Sequence, residues 1–200
     1  MTKHIGKIIK SESHVIYWAQ VENNLEGDPA PDPRDCAFGT FVKIDPVESE
    51  NLLLVGLIYD TILIDRDALR AGPRLSPDIQ STKLLFPDFI DEKMKLVKVL
   101  LIGYLDKDKR PHHSFPNVAP NLNDSVIKME EDEIKRFHII DGEYKMGYYS
   151  AGISLVPPLI KPLFLRILTK LIKIFPAHKK PILILLRNNL EFKMKMERGF

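Results

Sequence analysis

The sequence predicts a mainly β protein, with a small N-terminal β-barrel over residues 1–125 and a C-terminal α+β appendage, an amphipathic helix plus a β-hairpin, over 126–200. Three observations carry this expectation. Short runs rich in Val, Ile and aromatic residues recur through the first half, separated by breaks rich in Pro, Gly and Asp. Two of these runs carry an internal glycine, where a sheet bends in order to close. After residue 155 helix formers take over and the charge changes sign.

The elements follow in order. HIGKIIKS and HVIYWAQV read as two strands, and Ile5, Ile8 and Ile9 break strict alternation, which places a bend or bulge near Gly6. NNLEGDPAPDPRD, residues 23–35, holds three prolines and is a loop. GTFVKID is a strand with Phe41 on one face and Thr40 and Val42 on the other. LLLVGLIYDTILID, 52–65, is long for one strand, and Gly56 marks a bend or bulge within it. With the polar turn DPVESEN between them, 39–65 forms a hairpin whose second arm bends. Residues 66–95 are irregular, with one helical turn at RDALRAG. KLVKVLLIGYLD, 95–106, is apolar enough to be buried on both faces. DKDKRPHHSFPNVAPNLNDS is a loop, and VIKMEEDEIKRFH a short helix with Asp124 or Ser125 as N-cap.

A second helix runs from Pro162 to Phe175 and is stopped by Pro176. At 100° per residue Arg166, Thr169, Lys170 and Lys173 share one face, and every other position from Leu163 to Phe175 is Leu, Ile or Phe. PILILLRNNLEFKMKM then reads as a hairpin. Asn188-Asn189 suits a type I′ turn, and Leu190, Phe192, Met194 and Met196 alternate with charged residues.

Composition narrows the class. A 200-residue chain with 44% hydrophobic and 28% charged residues can bury a core without metals or disulfides. The lone Cys36 forms no internal disulfide, the N-terminus lacks an apolar signal core, and no uncharged run is long enough to span a bilayer. A cytoplasmic protein is expected. The net charge of +2 is uneven: residues 155–200 hold ten Lys/Arg against two Asp/Glu, +8, and residues 1–154 hold 19 against 25, −6. A basic segment of this kind either binds something itself or docks on an acidic body.

Catalytic motifs are absent. There is no G-x-x-x-x-G-K-[ST], G-x-G-x-x-G, G-x-S-x-G or C-x-x-C. No enzyme activity, catalytic residue, cofactor or metal site is therefore expected. Asp60, Asp65 and Asp67 would suit Mg²⁺, but a solvated strand end beside Arg66 is the better reading. Glu130-Glu131-Asp132-Glu133 reads as a solvated helix face. His112-His113 reads as a surface loop, because adjacent histidines on extended chain point apart. Tyr17 and Trp18 read as core packing before a stacking platform. Cys36 reads as a small, partly buried residue.

The candidate site is the basic set Lys161, Arg166, Lys170, Lys173, Lys179 and Lys180. It would contact phosphates without reading sequence, lie on an anionic membrane with its apolar face inserted, or be the wet face of a helix packed on the barrel.

The order IGKIIKSESHVIYWAQV, acidic proline loop, GTFVKID, LLLVGLIYD, KVLLIGYL resembles the HAS-barrel, the N-terminal barrel of HerA-type DNA translocases and of ATP synthase α and β subunits. The family's glycine-bearing strands match at Gly6, at Gly39, Phe41 and Val42, at Val55, Gly56 and Ile58, and at Val99, Ile102 and Gly103. The match covers roughly residues 3–130. The RecA-like ATPase that follows this barrel in the translocases is missing, so ATP hydrolysis and DNA pumping do not carry over. What the resemblance implies is assembly and partner docking. The expectation is thus a non-enzymatic adaptor that binds another protein, such as an ATPase or nuclease, through a barrel edge or the C-terminal hairpin. Homo-oligomerisation is compatible with it. The alternative is a peripheral membrane- or nucleic-acid-binding module acting through the basic helix.

Overall fold

A computed structural model describes residues 3–22, 30–46, 52–65, 93–154 and 158–198. Six strands close a barrel. β1 (His4–Ser13), β2 (Ile16–Val21), β3 (Phe41–Asp45), β4 (Leu53–Asp65), β5 (Lys93–Leu105) and, after the two-residue β6 (Pro111–His112), β7 (Ser125–Lys128) are all joined by antiparallel pairing. The order β2-β1-β7-β3-β4-β5 closes on itself through the β2–β5 ladder, from Ile16↔Leu100 to Gln20↔Leu96. Closure removes the free edges that a six-stranded sheet would otherwise present.

The expected irregularities fall where the glycines are. The β1–β7 register shifts between His4 and Gly6, and the β4–β5 register shifts between Val55 and Gly56. Gly6 is required by close approach: a Cβ there would lie 1.8 Å from the Gln20 carbonyl oxygen. The hairpin over 39–65 is present as β3–β4, and β5 is buried on both faces from Val99 to Ile102.

Alternation sorts the strand residues into two cores. One takes residues from all six barrel strands, including Ile5, Tyr17, Val42, Ile58, Val99 and Val126, together with Cys36, and fills the lumen. The other joins the outward residues Phe41, Val55, Leu57, Tyr59, Leu100 and Ile102 to the C-terminal helices. Those helices are α1 (Glu131–Phe137), then, after the two-strand ribbon β8 (Ile139–Ile140) and β9 (Glu143–Tyr144), α2 (Tyr148–Ser154), α3 (Ile160–Ile174) and α4 (Lys180–Arg198). α3 buries Ile160, Leu163, Phe164, Ile167, Leu168 and Leu171. At roughly 1.5–3 kcal/mol each, this burial contributes on the order of 10 kcal/mol, similar to the whole stability of an ordinary domain.

Three expectations are corrected. The C-terminal hairpin is the helix α4, and no turn forms at Asn188-Asn189. Leu183, Leu186, Leu190 and Met194 recur at three- and four-residue spacing and face the body, so tertiary burial selects the helical period. An isolated hairpin beside a closed barrel would have no sheet to join. Residues 125–128 are not the start of a helix but the strand β7, which fills the gap between β1 and β3 with Val126 in the lumen. The barrel therefore runs past residue 125. α1 begins later, capped at Glu130, whose N–H donates to the Glu133 carboxylate at 2.9 Å, and not at Asp124 or Ser125. The histidine loop contributes the short strand β6, which pairs with Tyr104 and Leu105. The helical turn expected at RDALRAG lies outside the described residues.

Candidate functional site

The structure separates the six basic candidates. Lys161, in the first turn of α3, is tied to Glu197 at 2.5 Å, and Lys179 is tied to Glu143. These two pairs pin the helical hairpin to itself and to β9, which is a structural role. Lys180 opens α4, half-buried and away from the stripe.

Arg166, Lys170 and Lys173 stay together. With Thr169 they line a shallow groove of about 150 Å³ along α3. Arg166 and Lys173 are exposed, and among the described residues none of the three cations forms an ion pair. Lys170 is held differently: its Nζ sits 5.4 Å from the centroid of the Phe41 ring. Burial pushes its pKa below the usual lysine value, Lys128 and Arg166 push the same way, and Glu131 opposes them. Gly39, at φ 82°, lies against the Arg166 stem, where a Cβ would meet Arg166 Cγ at 3.0 Å. Such a groove can attract an anion. The Thr169 hydroxyl in its lining donates back to the Leu165 carbonyl at 2.8 Å.

The opposite side of α3 is closed. Its Leu/Ile/Phe face is covered by the barrel and by α2 and α4, so inserting it into a bilayer would require stripping that core. Among the described residues no helix is long and apolar enough to cross a membrane, which says nothing of strands.

The other singled-out residues fall as follows. Cys36 is buried in the lumen core, which pushes its thiol pKa up. Asp60 accepts from the Thr61 N–H at 2.9 Å on β4, and Asp67 lies outside the described residues. Among the described residues no cluster of three or more His, Cys, Asp or Glu is placed to hold a metal ion. Glu131 and Asp132 are exposed, while Glu133 reaches Lys43 at 2.5 Å. Tyr17 is core, but Trp18 is not. Its ring lies on the outer wall with Lys10 and Lys98 ammoniums 5.1 and 4.7 Å from its centroid, and its indole N–H donates to Glu12 at 2.8 Å. β2 turns only one face to the lumen, and Trp18 is on the other.

His112 and His113 are not a plain surface loop. His112 stacks on Tyr104 at 4.7 Å and meets Asp106 at 2.8 Å. His113 enters an aromatic cluster with Phe137, His138 and Tyr148. Its Nε2 donates to the Phe137 carbonyl at 2.9 Å and its Nδ1 accepts from the Gly147 N–H at 3.0 Å. His138 is fully buried: Nδ1 donates to the Ile134 carbonyl at 2.7 Å, and Nε2 accepts from the Tyr148 hydroxyl at 2.6 Å. Burial pushes the His138 pKa down to about 3 and the Tyr148 pKa well above its usual value. Each ring nitrogen and the hydroxyl of this cluster has a partner inside the protein, and the cluster ties α1 and α2 to the segment just after β6 as a structural buttress.

Two surface features lie outside the candidates the sequence singled out. One is a half-open cleft of about 480 Å³ at one end of the barrel, where Lys43, Lys107, Lys109 and Arg136 mix with Asp45 and Asp106. The other is the outer face of α4, which leaves Ile182, Leu185, Phe192 and Met196 at 61, 59, 63 and 49% exposure. Read as a helix, 182–196 shows this stripe directly; read as a hairpin, it does not.

The whole-chain match decides the family. The chain belongs to the family described as Domain of unknown function (DUF8166), matched over residues 2–200. That match spans barrel and helices together, so the family unit includes the C-terminal hairpin of α3 and α4. No curated protein shows significant similarity to the chain.

Proposed function

We propose that this DUF8166 protein is a non-enzymatic assembly module that binds protein through the outer face of α4. The observation that carries the reading is the row of four large apolar side chains, Ile182, Leu185, Phe192 and Met196, left exposed on a helix whose other face is fully used. An apolar stripe of this size, interrupted only by Asn189, is of the kind that often serves binding on a protein surface. Of the docking surfaces expected from the sequence, the C-terminal segment is the helix α4, and the six barrel strands close through the β2–β5 ladder. The glycine pattern shared with the HAS-barrel supports an assembly role by analogy of fold, and a partner among ATPases or nucleases rests on that resemblance alone.

A second reading is favoured by one observation, Arg166, Lys170 and Lys173 gathered along one groove with no ion pair among the described residues. It makes the protein a binder of anionic surfaces, nucleic acid or lipid headgroups, through α3.

One comparison separates them. Tagged protein is recovered from its native extract with and without nuclease, as wild type, as Leu185→Asp/Phe192→Asp, and as Arg166→Glu/Lys173→Glu. The assembly reading expects a stoichiometric protein, retained after nuclease, that the α4 variant loses and the groove variant keeps. Nuclease-sensitive recovery that only the groove variant loses would replace it with the second reading.

A further inference from the structure

The exposed row on α4 has a spacing that specifies its occupant. Ile182, Leu185, Asn189, Phe192 and Met196 follow one another at three, four, three and four residues. This is the a/d repeat of a two-helix seam, and at 100° per residue the five fall within an arc of about 80°. All five are exposed, and Leu183 and Leu190 on the opposite side are buried in the core. The stripe is therefore separate from the face that packs on α3.

The stripe reads nearly the same in both directions. From Asn189, Ile182 and Met196 are each seven residues away, and Leu185 and Phe192 are four and three. Resting on the reading that this face is the working surface, we propose that two copies of the chain pair through α4, antiparallel, about a two-fold axis at Asn189. Ile182 then meets Met196 of the second copy, Leu185 meets its Phe192, and the two Asn189 amides face each other.

Three observations favour a second copy over other occupants. An amide carries both a donor and an acceptor, so two identical Asn189 side chains satisfy one another across the axis. A purely apolar partner would bury this amide without one, and a single polar residue of this kind fixes register in helix pairs. The seam is too narrow, and polar at its centre, for a helix lying in a membrane surface. Four large side chains at half to two-thirds exposure leave on the order of 500 Å² of apolar surface per copy, so a pair covers about 1,000 Å², the lower bound of a specific interface. The charges choose the direction. Lys193 and Lys195 flank only the C-terminal half, where the acid at the same angular distance, Glu197, is held by Lys161, so parallel pairing would gather four ammoniums. Antiparallel pairing sets each lysine pair beside the partner's half that bears Pro181, Leu186 and Asn188, which has no charge on the seam's flanks.

The test is the mass of the full chain by sedimentation across a concentration series, with disulfide trapping as a second readout. A species of twice 23.0 kDa is expected. Leu185→Asp/Phe192→Asp should weaken it at least about 100-fold, because two carboxylates would enter the seam, and circular dichroism should be unchanged. Asn189→Cys should cross-link to itself on mild oxidation, while Leu185→Cys alone should not and a mixture of Leu185→Cys with Phe192→Cys should; the one native cysteine, Cys36, is buried. Self-linking of Leu185→Cys would overturn the antiparallel pair. A dimer that ignores the α4 substitutions, or a monomer at every concentration, would overturn the inference. If the monomer still loses an extract partner on Leu185→Asp/Phe192→Asp, the assembly reading survives without it; if it loses nothing, both fail.

Discussion

His138 makes acid sensitivity a quantitative consequence of this fold. Its imidazole is fully buried between the Ile134 carbonyl and the Tyr148 hydroxyl, and its pKa is held down to about 3. In the unfolded chain it is about 6.5. The folded value is depressed, so the unfolded state takes up the proton first, and stability falls as pH drops below about 6.5 toward 3. Between pH 7 and pH 5 this one group costs about 2 kcal/mol. His113, whose pKa burial also lowers, adds to the loss with the same sign. Asp35, held below the usual carboxylate range first by the Lys128 hydrogen bond, loses its contribution only at lower pH, so the histidines dominate this window. Urea titrations at pH 7 and pH 5 measure the difference directly. His138→Phe keeps a ring of similar size and should remove most of the pH dependence while lowering stability at pH 7. A wild-type midpoint unchanged between pH 7 and pH 5, or a His138→Phe protein with the full acid loss, would refute the reasoning.

Other expectations test the frame and the groove. Gly6→Ala should cost about 3 kcal/mol or more by thermal or chemical denaturation, because the added Cβ meets the Gln20 carbonyl and only backbone can yield. Leu171→Ala should cost about 2–5 kcal/mol by the same assay and loosen α3 from the barrel. Arg166→Glu/Lys173→Glu, both exposed, should leave the melting temperature within a few degrees. In this pair any weak binding to heparin or anionic vesicles should vanish, as read by column retention or vesicle sedimentation. Lys170 is left intact in that test because it packs over Phe41.

The barrel was legible because its signals are local. Alternation around Phe41-Val42, the glycines at 6 and 56, and the doubly buried 95–106 run each follow from how a strand presents side chains to two faces. α3 was legible for the same reason at period 3.6. α4 was not, because Leu190 and Met194 satisfy both periods and Asn188-Asn189 imitates a turn; only the core beneath decides between them. The strand nature of 125–128 depends on a gap between β1 and β3 that no local pattern encodes. Of the basic set, the spacing Arg166, Lys170, Lys173 correctly marked one face, while Lys161 and Lys179 found carboxylates distant in sequence. The histidine cluster joins residues 113, 138 and 148, which are distant in sequence, so its signal was only the presence of histidine and tyrosine near an amphipathic helix.

The most direct measurement is hydroxyl-radical footprinting of the protein as recovered from its native extract, read residue by residue. Phe192 and Met196, 63 and 49% exposed on the isolated chain, should be protected, while Phe115, 42% exposed in the β6–β7 loop, should react freely as an internal reference. Protection should disappear in Leu185→Asp. Phe192 and Met196 reacting as readily as Phe115 in the recovered protein would contradict the claim that α4 is the assembly surface.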